Sequence, residues 1–320
     1  MKKKVLKWMT VLGTAGLLGS MQAKMVLAAD GFSFEDVAGL EFCLNSNYGG
    51  LWGTKVYIYE DGSFEGSYYE GNEKDTGEGY SDGTLYLCNF SGQFADLEPV
   101  NSYTYSAKIM DIKYENMVNT YKIKDEIRYV YLEPYGLDDA ENLLFYLEGA
   151  PLEELPEAFR SSVRYSDLSV EKETELSFIG LYNEAAEESF SSSVIRVPGL
   201  TIDAELAKIQ EVSDELQANI RNLIWIGGCE QIWLNQASIE LKQIWEYELN
   251  SIWNRIKARL PEKEMKRLIS EELDWITEKE KAIAEARAEC EEDRMRLLAE
   301  NTTAAELTQI RAYELAEYLR

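Results

Sequence analysis

A two-part α+β chain, an antiparallel β-barrel or sandwich followed by an α-helical bundle, is the fold class these 320 residues predict. Three observations predict it. Between Phe42 and Leu132, β-branched and aromatic residues alternate with period two and glycines punctuate them. From Ile202 onward, apolar residues recur every three or four positions instead. Pro198-Gly199, a pair that interrupts regular structure, stands between the two regimes. Hydrophobic content of 45%, with 12% aromatic, is enough for real cores and argues against disorder.

Taken in order, residues 1–29 read as a secretory signal peptide. Lys2, Lys3, Lys4 and Lys7 precede an apolar run from Trp8 to Met21 and a small-residue exit at Val26-Leu27-Ala28-Ala29. A spanning helix needs ~20 continuous apolar residues, whereas Thr10, Gly13, Thr14, Gly16 and Gly19 interrupt this run. Cleavage after Ala28 or Ala29 is expected, with no cysteine nearby for a lipid anchor. No stable membrane insertion is expected after it, and the Tyr318-Leu319-Arg320 end offers no apolar tail.

Residues 30–160 read as the β-rich domain, with a lipocalin-like barrel as the first choice. Lys55–Gly71 alternates around Asp61-Gly62, a favoured tight-hairpin pair. Gly83–Phe94, Ser102–Glu115 and Glu126–Pro134 add strands, and Tyr135–Phe159 reads as a short helix or turn cluster packed on the sheet. Residues 161–199 form an irregular segment or linker, in which Leu176–Tyr182 is apolar enough to return to the sheet. Residues 200–228 form a connector helix on Ile202, Leu206, Ile209, Leu216, Ile220 and Leu223, with Thr201 or Asp203 as its cap. Residues 229–320 form the helical domain. Leu241, Ile244, Trp245, Leu249, Ile252, Trp253, Ile256 and Leu260 make one stripe, and Pro261 opens a new helix. Met265, Leu268, Ile269, Ile276 and Ile283 supply that helix's apolar face. Asn301-Thr302-Thr303 ends it, and a capping box from Thr303 to Glu306 starts the last helix, Ala304–Leu319.

Charge and cysteine usage bound the function. Removing residues 1–28 takes five lysines and moves the formal charge from −26 to −31. Such a field repels nucleic acid, whose phosphates need Lys and Arg, and favours cationic partners. The chain has no histidine, so Ser-His-Asp, Cys-His and His-ligated zinc chemistry all lack their central part. No catalytic, cofactor-binding or metal residue is assigned, and no cofactor is expected. Four cysteines on an export route argue for two disulfides. Their clustering pairs Cys43 with Cys88 and Cys229 with Cys290, each bridge worth ~4 kcal/mol on the chain-entropy model.

Three local motifs in the β-rich part invite a functional reading. Asp75-Thr76-Gly77 matches the aspartic-protease tripeptide but lies among Glu73, Lys74 and Glu78, so it reads as a polar turn. The oxygens of Asn72–Glu78 could meet Ca²⁺, although the spacing misses the calcium-loop pattern. Tyr57, Tyr59, Tyr68, Tyr69, Tyr80 and Tyr86 could line a glycan platform, yet strand aromatics usually pack.

The order Cys229, Tyr247–Leu260 (YELNSIWNRIKARL), Leu268–Ile276 (LISEELDWI), Cys290 and Glu306–Leu315 (ELTQIRAYEL) resembles the LprI-like family of extracytoplasmic bacterial proteins. Its matching positions include Asn250, Trp253, Trp275, Thr308 and Arg311, all read as structural, Trp253 and Trp275 through core packing and Arg311 through an ion pair with its acidic surroundings. Two departures stand out: Glu272 replaces a Gln, and Cys290 lies later than the family's cysteine. The β-rich part resembles uncharacterised secreted modules of clostridial-type bacteria. The resemblance and the Lys-rich start imply a Gram-positive exporter and an extracellular location. It also implies a secreted binding protein whose partner is an extracellular protein, a basic lysozyme-type hydrolase being the instance. The alternative is a module binding cell-wall glycan, and a hydrolase using two carboxylates ranks last.

Overall fold

The computed structural model describes residues 31–45, 52–137, 140–165, 167–169, 171–194, 201–226 and 231–320. The expected signal peptide lies outside them. The chain divides into two compact units. One holds Met1–Glu70, Tyr86–Tyr121 and Val130–Ile195, and the other Gly71–Leu85, Lys122–Tyr129 and Arg196–Arg320.

The strands are β1 (Leu40–Asn45), β2 (Trp52–Ile58), β3 (Ser63–Asn72), β4 (Thr84–Phe94), β5 (Glu98–Asn101) and β6 (Thr104–Tyr114). They continue as β7 (Thr120–Lys124), β8 (Ile127–Tyr131), β9 (Asn142–Tyr146), β10 (Gly180–Asn183) and β11 (Glu188–Val194). The sheet runs β5-β6-β9-β10-β11-β1-β2-β3-β4-β8-β7, and a β4–β6 pairing closes it. Closure makes an eight-stranded antiparallel barrel of β1, β2, β3, β4, β6, β9, β10 and β11. Around this ring the strands follow chain order, the up-and-down arrangement that removes free edges. A register shift between Gln93 and Phe94 marks the closing pair, where bulges usually bend a strand.

Period two decides what fills the barrel. Phe42 and Leu44, Val56 and Ile58, Phe64 and Tyr68, Phe90 and Phe94, Leu143 and Phe145, Leu181, and Phe190 all join one buried core. Phe64 lies 4.5 Å from Phe94 and 6.4 Å from Phe90, ring centre to ring centre, and Phe145 lies 5.9 Å from Phe42. An eight-stranded barrel is just wide enough for side chains to fill it. Two glycines admit these rings. A Cβ on Gly66 would stand 2.3 Å from Phe90 Cζ, and one on Gly92 would stand 2.3 Å from Phe64 Cζ. The Asp61-Gly62 hairpin forms as expected, with Gly62 at φ 75° donating to the Tyr59 carbonyl.

Two segments differ from the sequence expectation. Asn142–Tyr146, expected in a helix or turn cluster, is β9 of the barrel. Within 161–199, the return to the sheet expected around Leu176–Tyr182 is β10, paired with β9, and Glu188–Val194, which carried no such expectation, is β11, paired with β1. Short strands rich in Ser and Glu carry little periodic signal, and ring closure stabilises them where propensity alone does not. Outside this wall, α1 (Glu157–Ser162) sets Phe159 between Tyr146 and Tyr182, at 4.8 and 5.8 Å.

The expected Cys43–Cys88 disulfide does not form. Cys43 sits between inward-facing Phe42 and Leu44, so it faces outward, whereas Cys88 belongs to the barrel interior. Two strands also separate β1 from β4. At ~4.8 Å per strand spacing the gap far exceeds the ~7 Å Cα limit of a disulfide. Cys229 lies outside the described residues, and Cys290 carries no disulfide.

The second unit is built on four long helices, α2 (Ile202–Ile226), α3 (Gln231–Arg259), α4 (Glu262–Glu289) and α5 (Arg296–Ala316). Thr201 is the cap of α2, its hydroxyl accepting the Ala204 N–H at 3.3 Å. Pro261 stands at the N-cap of α4 with Glu262 and Glu264 in the first turn. The last break falls at 290–295, not at Asn301-Thr302-Thr303. Asn301 is buried and donates to Ser238 on α3 at 3.0 Å, and Thr302 bonds back to the Leu298 carbonyl at 2.8 Å. Tertiary and back-bonded partners absorb the polar groups that would otherwise cap or end a helix.

Candidate binding surface of the helical unit

Helix α3 is the spine of the unit, because it is covered on almost every side. Trp245 is fully buried, and its indole N–H donates to Ser213 of α2 at 2.9 Å. Glu205 of α2 and Glu248 of α3 are buried as well, and Arg255 binds both, at 2.8 and 3.8 Å. This is the most buried carboxylate pair among the described residues. Its charge is held by a guanidinium inside helix packing, an arrangement that supports structure better than acid–base chemistry.

Helices α4 and α5 run antiparallel, as the Glu272–Arg311 and Arg287–Glu300 contacts show. Arg311 donates to Glu272 at 2.5 Å and to Glu314 at 2.7 Å. Burial alone would lower the Arg311 pKa, but the bonds it donates to Glu314 and Glu272 raise it on balance. The guanidinium also stands 6.0 Å from the Trp275 ring, with the Lys279 ammonium 4.9 Å from the same ring. So the structure brings Trp275 and Arg311 together, and it adds Glu272. A carboxylate where the family resemblance expects Gln gives Arg311 a full counter-charge. Asn250 and Trp253 are half-buried on α3, and Thr308 is fully buried on α5.

The apolar face expected on α4 is only partly the buried one. Leu268 and Glu272 are buried, but Ile269, Leu273 and Ile276 are exposed. Adjacent residues on a helix point ~100° apart, so Leu268 and Ile269 cannot both face inward. Glu262, Glu264 and Glu271 of the same helix are exposed, and Glu272 alone of these four is buried.

A second cluster escaped the sequence reading altogether. Asp125 and Glu126 join β7 to β8 with φ of 53° and 61°, both left-handed. The Asp125 carboxylate takes two bonds from Arg287, at 2.9 and 3.0 Å, and Arg287 also reaches Glu300 at 3.1 Å. Lys124 meets Glu300 at 3.3 Å, and Arg296 stands 3.8 Å from Asp125. No local signal could reveal this, because 162 residues separate Arg287 from Asp125.

The remaining motifs resolve as turns and packing. Arg128 pairs with Asp75 and bonds Thr84 at 3.1 Å and the Tyr80 hydroxyl at 3.3 Å. Asn72 accepts the Lys74 N–H at 3.1 Å, so one of the oxygens considered for Ca²⁺ serves its own turn. No group of three or more Cys, Asp or Glu among the described residues is arranged to hold a metal ion. Tyr57, Tyr59, Tyr68 and Tyr69 are buried, which removes them from any glycan platform. No described helix is long and apolar enough to cross a membrane.

No curated protein and no solved structure matches the chain. The helical unit is where a likeness exists: residues 228–315, spanning α3, α4 and most of α5, match the family model described as Lysozyme inhibitor LprI.

Proposed function

We propose that the chain is an exported binding protein whose helical unit engages and inhibits a basic lysozyme-type hydrolase outside the cell. The observation that carries this reading is the family match over 228–315, coincident with a helical body whose ionic contacts are structural. The net charge of −26 supports it, since a strongly acidic protein steers toward a cationic partner. The leader-like residues 1–29 support export. The test is direct. Purified chain mixed with a basic lysozyme at about 150 mM salt, where screening confines surface electrostatics to ~8 Å, is expected to form a complex and slow the hydrolysis of cell wall. Neither complex nor slowing would end the reading.

A further inference from the structure

Helix α4 carries two apolar faces, and packing covers one. Leu268 is buried, while Ile269, Leu273 and Ile276 are 43%, 61% and 39% exposed. At about 100° per residue, these three side chains fall within about 60° of one another and line a single face. Two charges share that face and end the line. Lys266 stands seven residues before Leu273 and Glu280 seven residues after it, and both are exposed. The next position in that series is already taken, since Arg287 binds Asp125 and Glu300. Alternating steps of three and four that repeat every seven residues make a seam for another helix. Ser270, Thr277 and Ala284 flank the line on one side, all exposed and small enough to let a second helix come close.

The two end charges decide what fits. A parallel copy of α4 would set Lys266 against Lys266 and Glu280 against Glu280, and like charges across an interface oppose association. An antiparallel copy, related by a two-fold axis through Leu273, does the reverse. It sets Leu273 on Leu273, Ile269 beside the partner's Ile276, and each Lys266 against the partner's Glu280. The line is complementary to itself, as a two-fold contact requires. Lys266 holds Glu262 at 2.6 Å, but those side chains are 72% and 82% exposed, and such a pair is worth little. Glu280 has no ion-pair partner among the described residues.

We infer that α4 is a self-association surface, which pairs two copies of the chain antiparallel through Leu273. Three apolar residues a side bury less than the ~1,200 Å² of stable interfaces, so the pair is transient and half-formed on the order of 100 µM. The net charge of −26 opposes it at long range. About 150 mM salt confines that repulsion to ~8 Å and leaves the Lys266–Glu280 contacts in reach of each other. Nothing here draws on the inhibitor reading, and no lysozyme enters the test.

Sedimentation equilibrium of the full chain, at up to about 500 µM and about 150 mM salt, reads the association, and circular dichroism verifies that each variant folds. The unaltered chain is expected to form dimers. Leu273→Ser is expected to weaken them at least tenfold, and Trp225→Ser, at an 88% exposed residue of α2, to leave them unchanged. Lys266→Glu alone and Glu280→Lys alone each give the line like charges at both ends, so each is expected to weaken the dimer severalfold. An equimolar mixture of those two variants is expected to associate again. An unaltered chain that stays monomeric, or dimers that Leu273→Ser weakens by less than twofold, would overturn the surface. Single charge variants that dimerise as well as the unaltered chain, or a mixture no stronger than its components, would overturn the antiparallel pairing.

Discussion

Arg287→Met is expected to destabilise the helical unit by about 2–3 kcal/mol, a figure at the low end for breaking a buried ion pair. The Asp125 side chain is only 8% exposed and Glu300 17%, so both carboxylates are largely removed from water. Without Arg287 each would keep one cation, Arg296 at 3.8 Å from Asp125 and Lys124 at 3.3 Å from Glu300. Those remaining contacts hold the loss below the ~5 kcal/mol extreme for an unpaired buried charge. The backbone adds to the argument. Asp125 and Glu126 both occupy the left-handed region, which costs roughly 1 kcal/mol or more per non-glycine residue, somewhat less for Asp. The ionic contacts are what keep this turn docked among the helices of its own unit. Asp125→Asn keeps the shape and the tolerance of that backbone, so it isolates the charge and should lose about 1–2 kcal/mol. Urea denaturation followed by circular dichroism reads both values from the shift of the midpoint at constant slope. Repeating it in high salt should change the difference little, because part-buried pairs are weakly screened. An Arg287→Met loss below about 0.5 kcal/mol, the scale of an ordinary surface substitution, would refute the reasoning.

Three further outcomes are expected. Gly66→Val and Gly92→Val should each destabilise the barrel by about 3 kcal/mol or prevent folding, since their side chains would enter the Phe90 and Phe64 rings; thermal melting checks this. Burial pushes the Cys88 thiol up from 9.0 to about 12, with Glu133 and Glu115 adding to the effect. A thiol reagent at pH 8 should therefore leave Cys88 unmodified in the native protein and modify it in urea, as mass spectrometry would show. Because that pKa is raised, the associated stability is intact below pH 9 and is lost as pH rises through about 12; Cys88→Ala should flatten the alkaline limb of a stability–pH curve. Arg255→Met should cost about 3–5 kcal/mol by leaving Glu205 and Glu248 buried together, and adding Glu205→Gln should restore part of it in a double-mutant cycle.

Much of the fold was legible in the residues. Alternation around Asp61-Gly62 and the run Gly83–Phe94 announced the barrel, because a strand that buries one face must place its apolar groups at period two. The stripe from Leu241 to Ile256 and the Pro261 punctuation announced two helices, because a helix places its core contacts at three and four. The absence of histidine excluded whole classes of chemistry without any coordinates. Three matters needed the tertiary structure. Closure of the ring recruited Asn142–Tyr146 and Glu188–Val194 as strands, since pairing partners on both sides can override weak local preference. The face that each cysteine presents depends on strand register, and register set Cys43 outside the wall and Cys88 within it. Last, the burial of Glu272 beside Arg311 left Ile269 and Leu273 in water, because helix packing fixes one rotation and every residue on the wheel then follows.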